Sequence, residues 1–126
     1  MFMSQQNKQN IVAVIKKFND ATNKHDVEAM MDLMSNNCVF ENTVPPPDGE
    51  RFEGSEKIKE FWKKFFEFSP QAKFETEEIF VCDNRCVVRW VYHWVDKEGK
   101  PGHVRGVDLF TVQNGKITEK LSYVKG

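Results

Sequence analysis

The sequence predicts an α+β domain in which helices cover one face of a curved antiparallel sheet, and three observations lead there. The first half carries three stretches whose apolar residues recur at three and four, the period of a half-buried helix. The second half switches to a period of two over four long stretches rich in β-branched and aromatic residues. Between those stretches stand Asp83-Asn84, Asp96-Lys97-Glu98-Gly99-Lys100-Pro101-Gly102 and Asn114-Gly115, turn chemistry that joins antiparallel neighbours. Helices followed by a strand meander is an α+β order, not an alternation of β-α units.

Each element has its own signal. Ile11, Val14, Ile15 and Phe18 share one face of a first helix running from about Ser4 to Asn23. Asn23-Lys24-His25 turns the chain, and Asp26 caps a second, antiparallel helix. There Val27, Met30, Met31 and Met34 repeat until Ser35-Asn36-Asn37 stops them. Cys38 to Asn42 reads as a short strand, which Val44-Pro45-Pro46-Pro47-Asp48-Gly49 cannot continue because proline lacks the ladder donor. Ser55 caps a third helix from Lys57 to Phe68, with Ile58, Phe61, Trp62 and Phe65 inward and Pro70 as its stop. The strands are Lys73 to Val81, Cys86 to Asp96, Val104 to Val112, and Lys116 to Val124.

In the strand from Cys86 to Asp96, one face carries Trp90, Tyr92 and Trp94, and the other carries Val87, Arg89, Val91, His93 and Val95. Neither face alternates with enough charge to be wet. Helices are therefore expected on one side and a second subunit on the other, a homodimer through the outer sheet face anchored by Trp90, Tyr92 and Trp94. On that assignment Arg89, Val91 and His93 face the enclosed side.

At 126 residues the chain has room for one domain, residues 1–126, with a core and a small pocket. Eighteen Lys and Arg against nineteen Asp and Glu give a net charge of -1, too balanced for an electrostatic nucleic-acid or membrane binder. Lys63-Lys64 beside Trp62 is offset by Glu60 and Glu67, so base stacking on a basic patch is discounted. No apolar run reaches the ~20 residues of a membrane helix, and Met1 to Asn10 lack the order of a signal peptide, so a soluble cytoplasmic protein is expected. Cys38, Cys82 and Cys86 are odd in number and without CxxC spacing, and His25, His93 and His103 are dispersed. No metal, cofactor or nucleophile motif follows from them. Eleven Phe and three Trp make the interior ring-rich, which favours a flat apolar ligand.

The element order resembles the nuclear transport factor 2-like superfamily, particularly its SnoaL-like and ketosteroid isomerase-like members. The strings that carry the likeness are Asn23-Lys24-His25-Asp26-Val27-Glu28-Ala29, Cys38-Val39-Phe40-Glu41-Asn42, and Arg105-Gly106-Val107-Asp108-Leu109-Phe110 before Asn114-Gly115-Lys116-Ile117. The resemblance implies a cone: a strongly bent antiparallel sheet wrapped by three N-terminal helices around a pocket, with dimers formed through the outer sheet face. It implies no single activity, because members range from isomerases, cyclases and epoxide hydrolases to non-catalytic binders. Asp108 falls where ketosteroid isomerase keeps a protonated aspartate, but its oxyanion tyrosine position is Phe18 and its general-base position is Asn42. Against limonene epoxide hydrolase, Asn42 is retained, Phe40 lacks the tyrosine hydroxyl, and Val91, His93 and Ser122 stand where charged residues are required.

The candidates divide by role. His93 is either a proton shuttle or a structural histidine held by one acceptor. Asp108, on an inward face, must be paired, hydrogen-bonded or protonated, and is either a catalytic acid or half of an ion pair with Arg89 or His93. Phe18, Trp62, Phe65 and Val91 would line the pocket, while Asn42, Arg89 and Ser122 would offer polar contacts. The leading expectation is a cofactor-free isomerase, cyclase or hydratase acting on a small, apolar, carbonyl-bearing ligand by acid–base chemistry. The competing one is a non-enzymatic dimeric module that binds a hydrophobic metabolite or another protein.

Overall fold

The computed structural model describes residues 5–126. Helix α1 (Gln5–Asn23) buries Ile11, Ile15, Phe18 and Ala21, the stripe its spacing requires, and Ser4 lies outside the described residues. Its last residue is tied to the sheet: the Asn23 amide donates to the Phe74 carbonyl, and its Oδ1 accepts the Phe74 N–H, both at 2.8 Å. Helix α2 (Val27–Asp32) starts at Asp26, whose carboxylate accepts the Ala29 N–H at 3.1 Å.

Helix α2 ends earlier than the methionine spacing suggests. Met34 is not helical: it opens strand β1 (Met34–Glu41), which contains Ser35-Asn36-Asn37, and it is buried beside Ile117. The Leu33 carbonyl accepts the Ile117 N–H at 2.8 Å, and this tertiary bond draws the chain into the sheet. After the proline loop comes a strand the sequence did not announce, β2 (Arg51–Glu53), antiparallel to β1. Helix α3 (Ser55–Phe68) is likewise capped differently. Ser55 is its first helical residue, and Gly54 stands at the cap with φ of 92°, a backbone setting that suits glycine, its N–H donating to the Cys38 carbonyl at 2.8 Å.

Strands β3 (Lys73–Cys82), β4 (Arg85–Val95), β5 (Pro101–Gln113) and β6 (Lys116–Val124) follow as three hairpins. Strand β5 begins three residues before Val104, because the β4–β5 ladder runs on to Val95 opposite Pro101. Asp96 closes that turn, its Oδ1 accepting the N–H groups of Glu98 and Lys100. The sheet order is β2-β1-β6-β5-β4-β3, antiparallel throughout except for the parallel β1–β6 pair. The helices pack on its inner face, where Phe18, Phe40, Trp62, Val88, Trp90 and Phe110 belong to one apolar core. No helix of the described residues is long and apolar enough to cross a membrane.

The two faces of β4 are the reverse of the expected ones. Trp90 and Tyr92 point toward the helices: Phe74 crosses Trp90 edge-on at 6.2 Å and stacks on Tyr92 at 4.8 Å, and Tyr92 meets Phe65 of α3 at 6.0 Å. Arg89 and His93 lie on the outer face. There Glu77 accepts hydrogen bonds from Arg89 at 3.2 Å and Arg105 at 3.3 Å, Glu78 accepts from Arg89, and His93 Nε2 sits 3.2 Å from Glu75. Val91, though buried, belongs to that outer face, between Glu75 and Arg105 in register.

Candidate functional site

A cavity of about 270 Å³ opens between α3 and the inner face of the sheet. Its walls are rings, Phe40, Phe61, Trp62, Phe65, Phe74, Trp90 and Tyr92, and its polar groups are Asn42, Thr43, Asp108, Lys120 and Ser122. Outward it shares Thr43, Val44, Tyr92, Val104 and Val124 with an open vestibule of about 610 Å³, to which Phe68, Pro70 and Trp94 contribute. A smaller space of about 30 Å³, room for a single water, lies against Phe18, Asn19, Thr22, Trp62, Trp90, Asp108 and Lys120.

Strand register assembles the polar floor. Asp108 of β5 faces Ser122 of β6, and Lys120, two residues before Ser122, stands beside Phe40 of β1. The Ser122 hydroxyl donates to Asp108 Oδ1 at 2.6 Å, and Lys120 Nζ donates to Ser122 Oγ at 3.1 Å and lies 3.5 Å from Asp108 Oδ2. The ammonium also sits 4.5 Å above the Phe40 ring and 5.4 Å from that of Trp62, so its charge is held partly by ring faces. Only 6% of Lys120 and 8% of Asp108 remain exposed. Burial pushes the Lys120 ammonium below the ordinary lysine range, and the adjacent Asp108 carboxylate opposes that shift.

Two further donors belong to residues that line the cavity. The indole N–H groups of Trp62 and Trp90 are buried and have no protein acceptor. Such groups are costly when unsatisfied, and because both nitrogens are shut off from the cavity space, a ligand reaches them only if the rings move. An amine, an acid and a hydroxyl in a ring-lined space can polarise a carbonyl and move a proton beside it.

Among the residues expected from sequence, Asp108, Asn42, Trp62, Phe65 and Ser122 line the cavity. Asn42 is partly committed to its own loop, since its Oδ1 accepts the Thr43 N–H at 2.8 Å. Phe18 borders only the 30 Å³ space beneath. His93, Arg89 and Val91 are corrected: they lie on the outer face, so His93 and Asp108 do not meet, and Asp108 pairs with Lys120 instead of Arg89. Trp90 and Tyr92 line the cavity and Trp94 its mouth, which removes all three as outer-face anchors. Lys120 is the group that sequence reasoning missed. Among the described residues no cluster of three or more His, Cys, Asp or Glu could hold a metal ion.

The sequence pattern of the SnoaL-like domain matches residues 15–120, nearly the whole chain. The chain belongs to the SnoaL-like family. A nuclear transport factor 2-like protein of unknown function from Mesorhizobium loti is 36% identical, each chain covered over 98%, with a TM-score of 0.82. A SnoaL-like candidate polyketide cyclase from Jannaschia sp. CCS1 superposes with a TM-score of 0.81 at 18% identity, over 99% of this chain and 91% of its own. TerC, co-crystallised with polyporic acid, gives 0.79 at 16% identity, over 92% of each chain. The last two likenesses concern the fold alone. No curated protein matches in sequence. The SnoaL-like fold thus frames a ring-lined pocket whose polar floor, Asp108-Lys120-Ser122, is read from this chain's own residues.

Proposed function

We propose that this SnoaL-like protein is a cofactor-free acid–base enzyme whose substrate is a small, largely apolar carbonyl compound, transformed by isomerisation, cyclisation or hydration. The observation that carries the reading is the buried Lys120-Asp108-Ser122 group on the floor of an otherwise aromatic cavity. Lys120 supplies positive charge and a donor where a carbonyl oxygen gains negative charge. Asp108, linked to Ser122, gives or takes the proton. The apolar vestibule suits a ligand longer than the inner cavity, with its carbonyl end inward.

Aromatic and alicyclic ketones, screened by quenching of the cavity tryptophans and then by product formation, test this. Asp108→Asn is expected to lower turnover at least ~100-fold with affinity changed less than about fivefold. Wild-type turnover in that variant would sink the assignment. The binding-module reading is favoured by the apolar rim around the mouth, where Phe68 is 85% exposed. A tight ligand recovered unchanged after prolonged incubation would select it.

We also infer a homodimer through the outer sheet face, with anchors different from the tryptophans. A groove of about 310 Å³ there is bordered by Glu77, Arg89, Arg105, Val107 and Tyr123, and Tyr123 is 54% exposed. Both charge signs are present, so a two-fold mate can set Arg against Glu. Sedimentation giving a monomer at micromolar concentration would refute it.

A further inference from the structure

Lys120 is the only buried lysine among the described residues. Lys120 lines the cavity, its Nζ with one countercharge at 3.5 Å and one hydroxyl at 3.1 Å. A purely structural ion pair would saturate the ammonium with acceptors, but here much of its surround is aromatic: the Phe40 ring at 4.5 Å and the Trp62 ring at 5.4 Å. Desolvation lowers the cost of losing its proton, and a neutral amine is a nucleophile.

We propose that Lys120 is a nucleophilic amine that condenses with an aldehyde or ketone in the cavity to form a protein-bound iminium. This rests on the reading that the cavity takes a carbonyl compound. It adds a covalent step to that reading.

The step balances within the site. The Lys120 ammonium first passes one proton to the Asp108 carboxylate, through Ser122 or directly, which leaves the free amine. The Nζ lone pair attacks the carbonyl carbon, a C–N bond forms, and the π pair moves onto oxygen. One N–H proton passes to that oxygen, with the Ser122 hydroxyl within reach of both Lys120 and Asp108 as the relay, giving a carbinolamine. The C–O bond then breaks, and the hydroxyl leaves as water with the Asp108 proton. Iminium and carboxylate remain. In sum, an ammonium and a carbonyl give an iminium and one water, with no oxidant or reductant and no change in the net charge of the site. The ring faces that hold the ammonium serve the iminium cation equally. Once formed, the iminium draws electrons from the adjacent carbon and eases loss of its proton, the event that isomerisation or cyclisation needs.

The test uses the wild-type full chain, benzaldehyde at about one equivalent as the probe, and pH 7. Borohydride reduces any C=N bond to a stable benzylamine, and peptide mass mapping locates it. The expected result is benzylation of Lys120 at least about tenfold above that of any other lysine, since exposed lysines are protonated at this pH. Equal labelling across surface lysines, or none at Lys120, overturns the proposal. Quenching of tryptophan fluorescence by benzaldehyde, measured without borohydride, separates the two levels. Quenching that saturates without a Lys120 adduct overturns the iminium and leaves the carbonyl-binding reading standing. Absence of both saturable quenching and adduct overturns both. Lys120→Met is expected to abolish the adduct, and labelling elsewhere at the wild-type total would also count against the assignment.

Discussion

Replacing Asp108 by Asn removes the countercharge from Lys120 and keeps an oxygen for the Ser122 hydroxyl. The buried ammonium then has two courses. If it stays charged, it is an uncompensated ion in a ring-lined interior, and breaking such a pair costs about 3–5 kcal/mol. If it gives up its proton at pH 7, the cost relative to an unfolded lysine at 10.5 is at most about 4.8 kcal/mol, and less because part of that shift exists in the wild type. The first route puts the loss at about 3–5 kcal/mol and the second caps it at about 4.8 kcal/mol, so about 3–4.8 kcal/mol is expected. With a melting entropy of roughly 0.26 kcal/mol/K for a chain of this length, Tm falls by roughly 11–18 °C.

The pH dependence has a definite sign. The folded-state pKa of Lys120 is depressed below 10.5, so the unfolded chain binds the proton more readily, and the stability withheld at low pH returns as pH rises toward 10.5. Removing Asp108 deepens the depression, so the deficit of Asp108→Asn narrows between pH 7 and 9.5, by up to about 1.4 kcal/mol per pH unit. Adding Lys120→Met to Asp108→Asn removes the stranded charge in similar volume and restores stability to within about 1 kcal/mol of wild type. Urea unfolding followed by circular dichroism at the two pH values reads all of this. A single-variant loss below about 0.5 kcal/mol at pH 7, or a deficit indifferent to pH, would mean that the two charges are not energetically coupled.

Three further outcomes follow from other parts of the structure. Burial pushes the Cys38 and Cys86 thiols up to about 11 from 9.0; the folded state keeps protons that the unfolded state releases, so stability is full below pH 9 and declines toward pH 11, by about 2 kcal/mol per thiol. Cys86→Ala should flatten the fall of urea midpoint over that window, and an unchanged slope would contradict the assignment. Gly106 faces Trp90 across the β4–β5 ladder, and a Cβ there would stand 2.3 Å from the Tyr123 carbonyl oxygen and 2.6 Å from the Trp90 ring. Gly106→Ala is therefore expected to cost at least ~2 kcal/mol and to shift the tryptophan emission; a stable variant with wild-type emission would show that the strand yields without moving Trp90. His93→Ala removes an exposed contact to Glu75 on the outer face, so stability should change by less than about 1 kcal/mol and affinity for a cavity ligand not at all, as calorimetry would show.

The fold was legible because its signals are local: helical spacing around Ile11, Ile15 and Phe18, twofold spacing in four long runs, and turn residues between them. The site was legible in part. Asp108, Trp62 and Phe65 follow from the inward face of a strand or helix, whereas the parity of β4 alone leaves open which of its faces is inward. What decides it is a cross-strand fact: Arg89 shares the outer face with Glu77 and Arg105 from both neighbouring strands, and Trp90 has opposite it a glycine, Gly106, that leaves room for its indole. Three charged side chains in mutual contact are easier to hydrate than to bury.

Lys120 was hidden for a different reason. In β6 the buried Ile117 sets a parity that would send Lys120 outward, and lysine is rarely buried in any case. The register shifts between Thr111 and Val112, where Val112 pairs with Ile117 and Thr111 with Glu119, so Thr118 is the extra residue of a bulge. One unpaired residue reverses the alternation, and Ile117 and Lys120 both come to face inward. A second shift in β3 leaves Glu77 unpaired between Thr76 and Glu78. Phe74 packs on Trp90 and Tyr92 from one side of that shift, and Ile79 and Val81 pack on the same core from the other, although their positions have opposite parity. The polar floor of the cavity therefore depends on a strand irregularity that periodicity cannot see. Straightening β6 by deleting Thr118 would set Ile117 and Lys120 on opposite faces, so the strand could no longer bury both the core isoleucine and the partner of Asp108.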